Sequence, residues 1–377
     1  MGRLKVLHVI GGGEFGGAEQ HLLSLLRHID KHEFELHVAC LFTEPLAPMI
    51  VHEGFKVYIL PMRNKIDLKP VGRLASLISS EGFHIIHTHG VRANMIGRLA
   101  ARKAGAGRVV TTVHSVLAFD YNRWLDRWVN RICEAATKNM TEHFITVSEM
   151  LARQMINEGM PAGKVTPIHN GLEIENYDPC LSGDQVRNEL GIGRDKLVLG
   201  IVARLHPVKG HCFLLEALAK VITRIPEIIL VIVGTGPERS GLESMVSGLG
   251  ISKNVIFAGF RRDIPQVIAA VDFMVLPSLS EGLSLTIMEG MAMKKPVIST
   301  CVGGTPEIIT TGLDGMLVPP ADIPALARCI EELALNPEES SKLGIQARKT
   351  IENRFTAALM AAKTAKLYKD MVKEGNL

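Results

Sequence analysis

Short, nearly unbroken apolar runs alternate with longer amphipathic stretches through the first half of the chain. The runs Leu4–Ile10, Glu35–Leu41, Lys56–Ile59, His84–Thr88, Arg108–Val113 and His143–Val147 predict strands. Between them Ala18–Ile29, Gly72–Ser80 and Arg92–Ala104 place apolar residues at helical spacing. Strands apolar on both faces, separated by helices, predict a parallel sheet covered on both sides. The pattern then restarts. Lys196–Ala203 predicts a strand, His211–Thr223 a helix, Ile228–Val233 a strand and Arg239–Leu249 a helix, with further strands at Val255–Ala258, Phe273–Leu276 and Pro296–Ser299. Two α/β domains follow from the repetition. The polar segment Asn170–Pro179, with its Gly and Pro, reads as the linker, and the boundary is placed near residue 185. Residues 1–185 and 186–355 then form two α/β domains, and a Lys- and Ala-rich helix closes the chain over 356–377.

Composition narrows the function classes. At 377 residues two domains are the natural expectation. Net charge is +3 with no dense Lys/Arg run, which argues against a nucleic-acid partner. No apolar stretch reaches the ~18 residues of a membrane span, and the start lacks the apolar core of a signal peptide. A cytoplasmic location is expected. The six cysteines are scattered without a CxxC and read as buried thiols, not as disulfides or zinc ligands.

The strongest chemical signal is the pair Glu281 and Glu289 in Pro277-Ser278-Leu279-Ser280-Glu281-Gly282-Leu283-Ser284-Leu285-Thr286-Ile287-Met288-Glu289. The strand Phe273–Leu276 stops at Pro277, a polar turn follows, and a helix starts near Ser284. Its first amides lack helical partners and form an anion site that Gly282, Leu283, Ser284 and Leu285 would complete. A carboxylate on each side of an anion site suits a phosphorylated ligand with hydroxyls at both ends, such as a nucleotide sugar. A glycosidase pair is a poor fit, since eight helical residues span ~12 Å and retaining hydrolases need ~5 Å. Upstream, Arg204 and Lys209 flank a Pro turn at a strand end in Val202–Gly210. A guanidinium fork and a point charge there can converge on one diphosphate. They would neutralise the charge that develops on a departing nucleoside diphosphate. Read alone, they would equally be two solvated cations.

Glu-x7-Glu after a Pro-Ser strand end, with Arg204 and Lys209 before it, resembles the retaining glycosyltransferases of family 4. The resemblance runs through nearly the whole chain. It implies the GT-B architecture, with two Rossmann-like domains facing across a cleft and the last helix crossing back to the N-terminal domain. It implies that Glu289 holds ribose hydroxyls and that Glu281 contacts the transferred sugar. The strand ends at Gly234 and at Phe260-Arg261 would hold the nucleoside, largely through backbone groups. Ser148-Glu149, Asn170-Gly171 and Gly303-Gly304-Thr305-Pro306-Glu307 match further landmarks, the last equally readable as a structural turn.

Gly11-x-Gly13-x-x-Gly16 follows a strand and opens a helix, as in the dinucleotide fingerprint. That fingerprint needs an acidic residue near the end of the second strand, and Glu44 comes too late. The resemblance instead implies that Gly16 and Gly17 face the donor diphosphate and the acceptor. His114 ends the strand before it, at the rim where ligands bind, and the resemblance places it near the transferred sugar. His87 and His89 alternate on one strand face, but two ligands are too few for a metal site and no third stands out. No Asp-x-Asp occurs, so metal dependence is not indicated; no cofactor is expected, the nucleoside-diphosphate sugar being the substrate. Tyr121, Trp124 and Trp128, interleaved with Arg123, Arg127 and Arg131, read as core packing or as a docking face for a lipid-linked acceptor or a membrane.

These readings converge on a retaining, metal-independent glycosyltransferase. It would take a nucleotide-sugar donor and a carbohydrate or lipid-linked acceptor, in surface polysaccharide or glycolipid assembly at the inner face of the membrane. Arg204, Lys209, Glu281 and His114 are the catalytic candidates. A nucleotide-sugar epimerase-like GT-B enzyme, a nicotinamide-dependent oxidoreductase and a non-catalytic nucleotide-sugar-binding partner remain as alternatives.

Overall fold

The apolar runs pair as parallel strands in two separate sheets. The structure, a computed structural model, describes residues 2–13, 15–63, 67–105, 107–115 and 124–374. The first sheet contains β1 (Leu4–Ile10), β2 (Phe34–Cys40), β3 (Lys56–Ile59), β4 (Ile85–His89), β5 (Arg108–Val113), β6 (His143–Thr146) and β7 (Val165–Pro167), in the order β3-β2-β1-β4-β5-β6-β7. The second contains β8 (Val198–Val202), β9 (Ile229–Val233), β10 (Val255–Gly259), β11 (Phe273–Leu276), β12 (Val297–Thr300) and β13 (Met316–Val318), in the order β10-β9-β8-β11-β12-β13. The three-residue strands β7 and β13 are too short to carry a hydrophobic pattern, and the sequence reading misses both.

Apolar side chains leave both faces of the first sheet. On one face Val6, Ile10 and Val38 pack with Leu22, Leu25 and Leu26 of the helix Gly17–His28. On the other, Leu7, Val9 and Ile86 pack with Leu74 and Ile78 of the helix Lys69–Glu81 and with Ile96 and Ala100 of the helix Val91–Ala104. The C-terminal helix Ala357–Glu374 joins the first of these faces through Met360, Ala361, Tyr368 and Met371. An ion pair between Lys369 and Glu33 adds to it (2.5 Å).

Two units result. One comprises the residues up to Gly171 together with those from Ala357 onward, and the other is Leu172–Thr356. The division therefore falls at Gly171, not near residue 185. It lies inside the predicted linker Asn170–Pro179: Asn170 and Gly171 belong to the first unit, and from Leu172 onward the segment packs on the second. Leu172 N–H donates to Phe355 O (2.8 Å), and Arg348 donates to the carbonyl of Tyr177 (2.6 Å). Among the described residues no helix is long and apolar enough to cross a membrane.

Candidate functional site

In the second unit the strand order reverses direction between β8 and β11. Ligands of open α/β sheets bind at the carboxyl ends of the strands at such a switch point. Arg204 and Lys209 follow β8, and Ser278–Leu285 follow β11. Backbone bonds stitch these loops together: Leu279 N–H to Val208 O (2.7 Å), Leu205 N–H to Thr235 O (2.9 Å) and Gly304 N–H to Gly282 O (3.0 Å). Two glycines allow the approach. Gly210 has φ 67° and a Cβ there would lie 2.0 Å from Pro277 O; Gly303 has φ 55° and a Cβ would lie 1.7 Å from Glu281 O.

The two glutamates are both nearly buried, at 8% and 6% exposure. Glu281 Oε1 accepts from Lys209 Nζ (2.6 Å) and from Ser278 Oγ (2.6 Å). Glu289 lies in the helix Leu285–Ala292 and accepts from Tyr177 OH (2.8 Å). Tyr177 comes from the segment that reads as a linker, so sequence reasoning gave it no role. Ser284 caps this helix, its Oγ accepting from Ile287 N–H (3.4 Å). The N–H groups of Leu285 and Thr286 have no partner within the helix. Buried carboxylates, an ammonium and a helix start thus meet at one switch point, an arrangement able to hold hydroxyls and a phosphate.

Gly234 and Phe260 sit at the ends of β9 and β10, bridged by Gly234 N–H to Gly259 O (2.7 Å). Phe260 is exposed. Arg261 donates to Asp263 (2.6 and 2.9 Å) and to Glu189 (3.1 Å). These carboxylates raise its pKa further above the ordinary arginine value. Its guanidinium is therefore engaged by carboxylates within the second unit.

The first unit brings five histidines together: His8 on β1, His87 and His89 on β4, His114 after β5 and His21 on the helix Gly17–His28. His8 Nδ1 lies 3.1 Å from His89 Nε2, and His89 Nδ1 lies 3.3 Å from His114 Nε2. His87 meets Tyr368 OH (2.5 Å) and Thr112 Oγ1 (2.7 Å). His21 Nδ1 donates to Asn170 Oδ1 (2.9 Å), and its ring stands edge-on to His114 with centroids 5.0 Å apart. Burial first, and neighbouring imidazoles second, lower the pKa of His8 to about 3 and those of His87 and His89 well below 6.5. Burial lowers His21 to about 4 and, with the charge of His21, lowers His114 well below the usual value.

The expectation that His87 and His89 lack a third partner is corrected here. His8 stands opposite His87 in the parallel register, and one nitrogen from each of His8, His87 and His89 falls within 4.8 Å of the others. That proximity comes from strand pairing, which no sequence spacing encodes. These three could hold a metal by number and type. His87, however, already has both nitrogens partnered, so ligation would first break a bond to Tyr368 or Thr112.

Gly16 and Gly17 also belong to the first unit. The Gly16 N–H donates to Glu19 Oε2 (3.1 Å), so a carboxylate already takes the amide expected to face a phosphate. Ser148 caps the helix Glu149–Asn157 through Leu151 N–H (3.3 Å). Tyr121 and Arg123 lie outside the described residues, as do the side chains of Trp124 and Arg127. Trp128 is exposed on the helix Trp124–Thr137. A cavity of about 660 Å³, lined in part by Arg98, Arg102 and Arg108, sits near the amino-terminal ends of β4 and β5, the end of a parallel sheet where ligands do not usually bind.

The profile described as Glycosyltransferase Family 4 matches residues 15–176, and that described as Glycosyl transferases group 1 matches residues 196–336. EpsD of Bacillus subtilis (strain 168), assigned as a glycosyltransferase, is 30% identical over 355 residues, 89% of each chain. The chain belongs to the family 4 (group 1) glycosyltransferases. The UDP-Gal:alpha-D-GlcNAc-diphosphoundecaprenol alpha-1,3-galactosyltransferase of Escherichia coli is 28% identical to this glycosyltransferase over 387 residues, 98% of each chain. Anabaena HepE, solved with UDP-glucose, superposes with a TM-score of 0.87 at 23% identity, covering 98% of this chain and 100% of that one. At that identity the likeness is one of fold, GT-B. The Escherichia coli and Bacillus subtilis relatives carry glycosyltransferase names and match over 98% and 89% of their lengths, which leaves the epimerase-like and oxidoreductase alternatives without support.

Proposed function

We propose that this glycosyltransferase moves a sugar from a nucleoside-diphosphate sugar to a carbohydrate or lipid-linked acceptor with retention of configuration and without a metal. One observation carries the reading: the Lys209–Glu281 pair, buried Glu289 and a helix start meet at the switch point of the second unit. In this reading Glu289 binds ribose and Glu281 a sugar hydroxyl. Arg204, Lys209 and the amides of Gly282–Leu285 neutralise the diphosphate, the part a divalent cation plays elsewhere. Backbone groups at Gly234 and Phe260–Arg261 hold the nucleoside. The first unit takes the acceptor, and Gly16, Gly17 and His114 are its ligand-facing residues.

The acceptor oxygen bonds to the anomeric carbon on the face that the diphosphate leaves. As the carbon–oxygen bond to the diphosphate breaks, the acceptor proton passes to the departing phosphate oxygen. No covalent nucleophile is needed. The name of the Escherichia coli relative specifies a UDP-sugar and a lipid-linked acceptor, which favours that class here and a role in surface polysaccharide or glycolipid assembly. Trp128 and Ile132, exposed one helical turn apart beside exposed Arg131, support peripheral contact with the inner face of the membrane from the cytoplasm. Nucleic acid has no part in this scheme.

The test is to incubate the protein with nucleoside-diphosphate sugars and lipid-linked acceptors, with and without EDTA, and to read the anomeric configuration of the product by proton NMR. Retention and an unchanged rate in EDTA are expected. An inverted product, or a rate abolished by EDTA and restored by a divalent ion, overturns the mechanism.

A further inference from the structure

The five histidines carry an inference about what His114 offers a ligand. His8, His89 and His114 form a linear chain through alternating ring nitrogens: His8 Nδ1 to His89 Nε2 (3.1 Å), then His89 Nδ1 to His114 Nε2 (3.3 Å). A neutral imidazole has one donor and one acceptor nitrogen, so both links can be hydrogen bonds only if all protons point the same way. The buried end decides the direction. His8 Nε2 is buried and has no hydrogen-bond partner among the described residues. Protons pointing toward His8 would leave an N–H there with nothing to donate to. Protons pointing toward His114 leave only a lone pair, and orphaned buried N–H groups are the rarer of the two.

We propose that His8 and His89 fix His114 as the Nδ1–H tautomer, with Nε2 accepting from His89, so that His114 presents a hydrogen-bond donor and not a general base to the ligand. His8 and His89 are positioning residues in this scheme. Burial, and after it repulsion from His21 and, for His89, from the other neighbouring imidazoles, lowers the pKa of all three rings, in keeping with the neutral imidazoles that the hydrogen-bond geometry calls for. His21 is separately set as Nδ1–H by the Asn170 carbonyl, and its ring edge against His114 limits rotation of that ring. His87 stands outside the chain, accepting from Tyr368 and donating to Thr112, or the reverse. The ligand atom at His114 is then an acceptor, such as a sugar hydroxyl oxygen or a phosphate oxygen.

The involvement of His114 in transfer rests on the function proposed above; its tautomer does not. The experiment is a long-range proton–nitrogen correlation on the full chain labelled with ¹⁵N-histidine, without donor or acceptor, with His114→Gln identifying its signals. A protonated Nδ1 and an accepting Nε2 on His114 are expected; Nε2–H overturns the proposal. His89→Asn keeps an amide donor near the Nδ1 position and should preserve the His114 pattern, whereas His89→Leu should leave a mixture of tautomers. In transfer assays His89→Leu should lower kcat about 10-fold or more, with His89→Asn recovering most of it. Equal loss in both variants, with the spectrum of His89→Asn unchanged from wild type, refutes the donor role. Wild-type kcat in both variants, with the tautomer as expected, refutes the participation of His114 in transfer and leaves the hydrogen-bond chain intact.

Discussion

Replacing Lys209 by Ala separates stability from donor binding. In this structure the Lys209 ammonium meets Glu281 at 2.6 Å, with side-chain exposures of 23% and 8%. Removing one member of a fully buried ion pair costs about 3–5 kcal/mol. Here the lysine reaches solvent and Ser278 still donates to the same carboxylate oxygen (2.6 Å), so a loss of about 1–3 kcal/mol is expected. If Lys209 also contacts the donor diphosphate, a charge-assisted bond worth about 1.5–3 kcal/mol disappears, raising the donor Kd roughly 10- to 150-fold. The double variant Lys209→Ala/Glu281→Gln removes the orphaned charge and keeps an amide that can bond Ser278. Its melting temperature should return toward wild type while donor affinity stays low. Calorimetry measures the first quantity and isothermal titration with the nucleotide sugar the second. An unchanged donor Kd in Lys209→Ala, or donor affinity that recovers together with stability in the double variant, refutes the assignment.

Three further outcomes follow from the same geometry. Gly303→Ala places a Cβ 1.7 Å from Glu281 O at a positive φ; stability should fall by about 1–3 kcal/mol and donor turnover should fall with it, and a neutral effect on both would show that the close approach is not needed. Tyr177→Phe deletes the 2.8 Å bond to Glu289, so the donor KM should rise a few-fold with stability down about 1 kcal/mol; an unchanged KM would detach Tyr177 from the site. His8 and His21 have folded pKa values of about 3 and about 4, below the ordinary 6.5. The unfolded chain therefore binds more protons below pH ~6.5, and stability is lost as pH falls from there toward 4, at up to about 1.4 kcal/mol per unit for each histidine. Urea unfolding at pH 7 and pH 5 checks this, and equal stability at both would contradict the buried neutral cluster.

The two-domain α/β fold is legible because parallel strands buried on both faces write themselves as apolar runs. β1, β3, β5 and β11 fall where the pattern places them, and most other strands differ by a residue or two at their ends. The C-terminal helix is visible as composition, but its place against Leu22 and Phe34 follows from tertiary packing. On the second sheet, Arg204, Lys209, Glu281 and Glu289 are readable because short segments after β8 and β11 carry them. What escaped is what only pairing creates. His8 meets His87 through register, Tyr177 reaches Glu289 across 112 positions, and Glu189 claims Arg261 across 72.

Donor-dependent nucleotide release tests the central claim most directly. The wild-type protein and the Glu281→Ala/Glu289→Ala variant are incubated with a panel of nucleoside-diphosphate sugars, and released nucleotide is followed alongside donor binding. The account predicts release from one donor by the wild type, with binding and release both lost in a variant that still melts cooperatively. Release at wild-type rate from the folded variant, or no binding of any nucleotide sugar by the wild type, would contradict it.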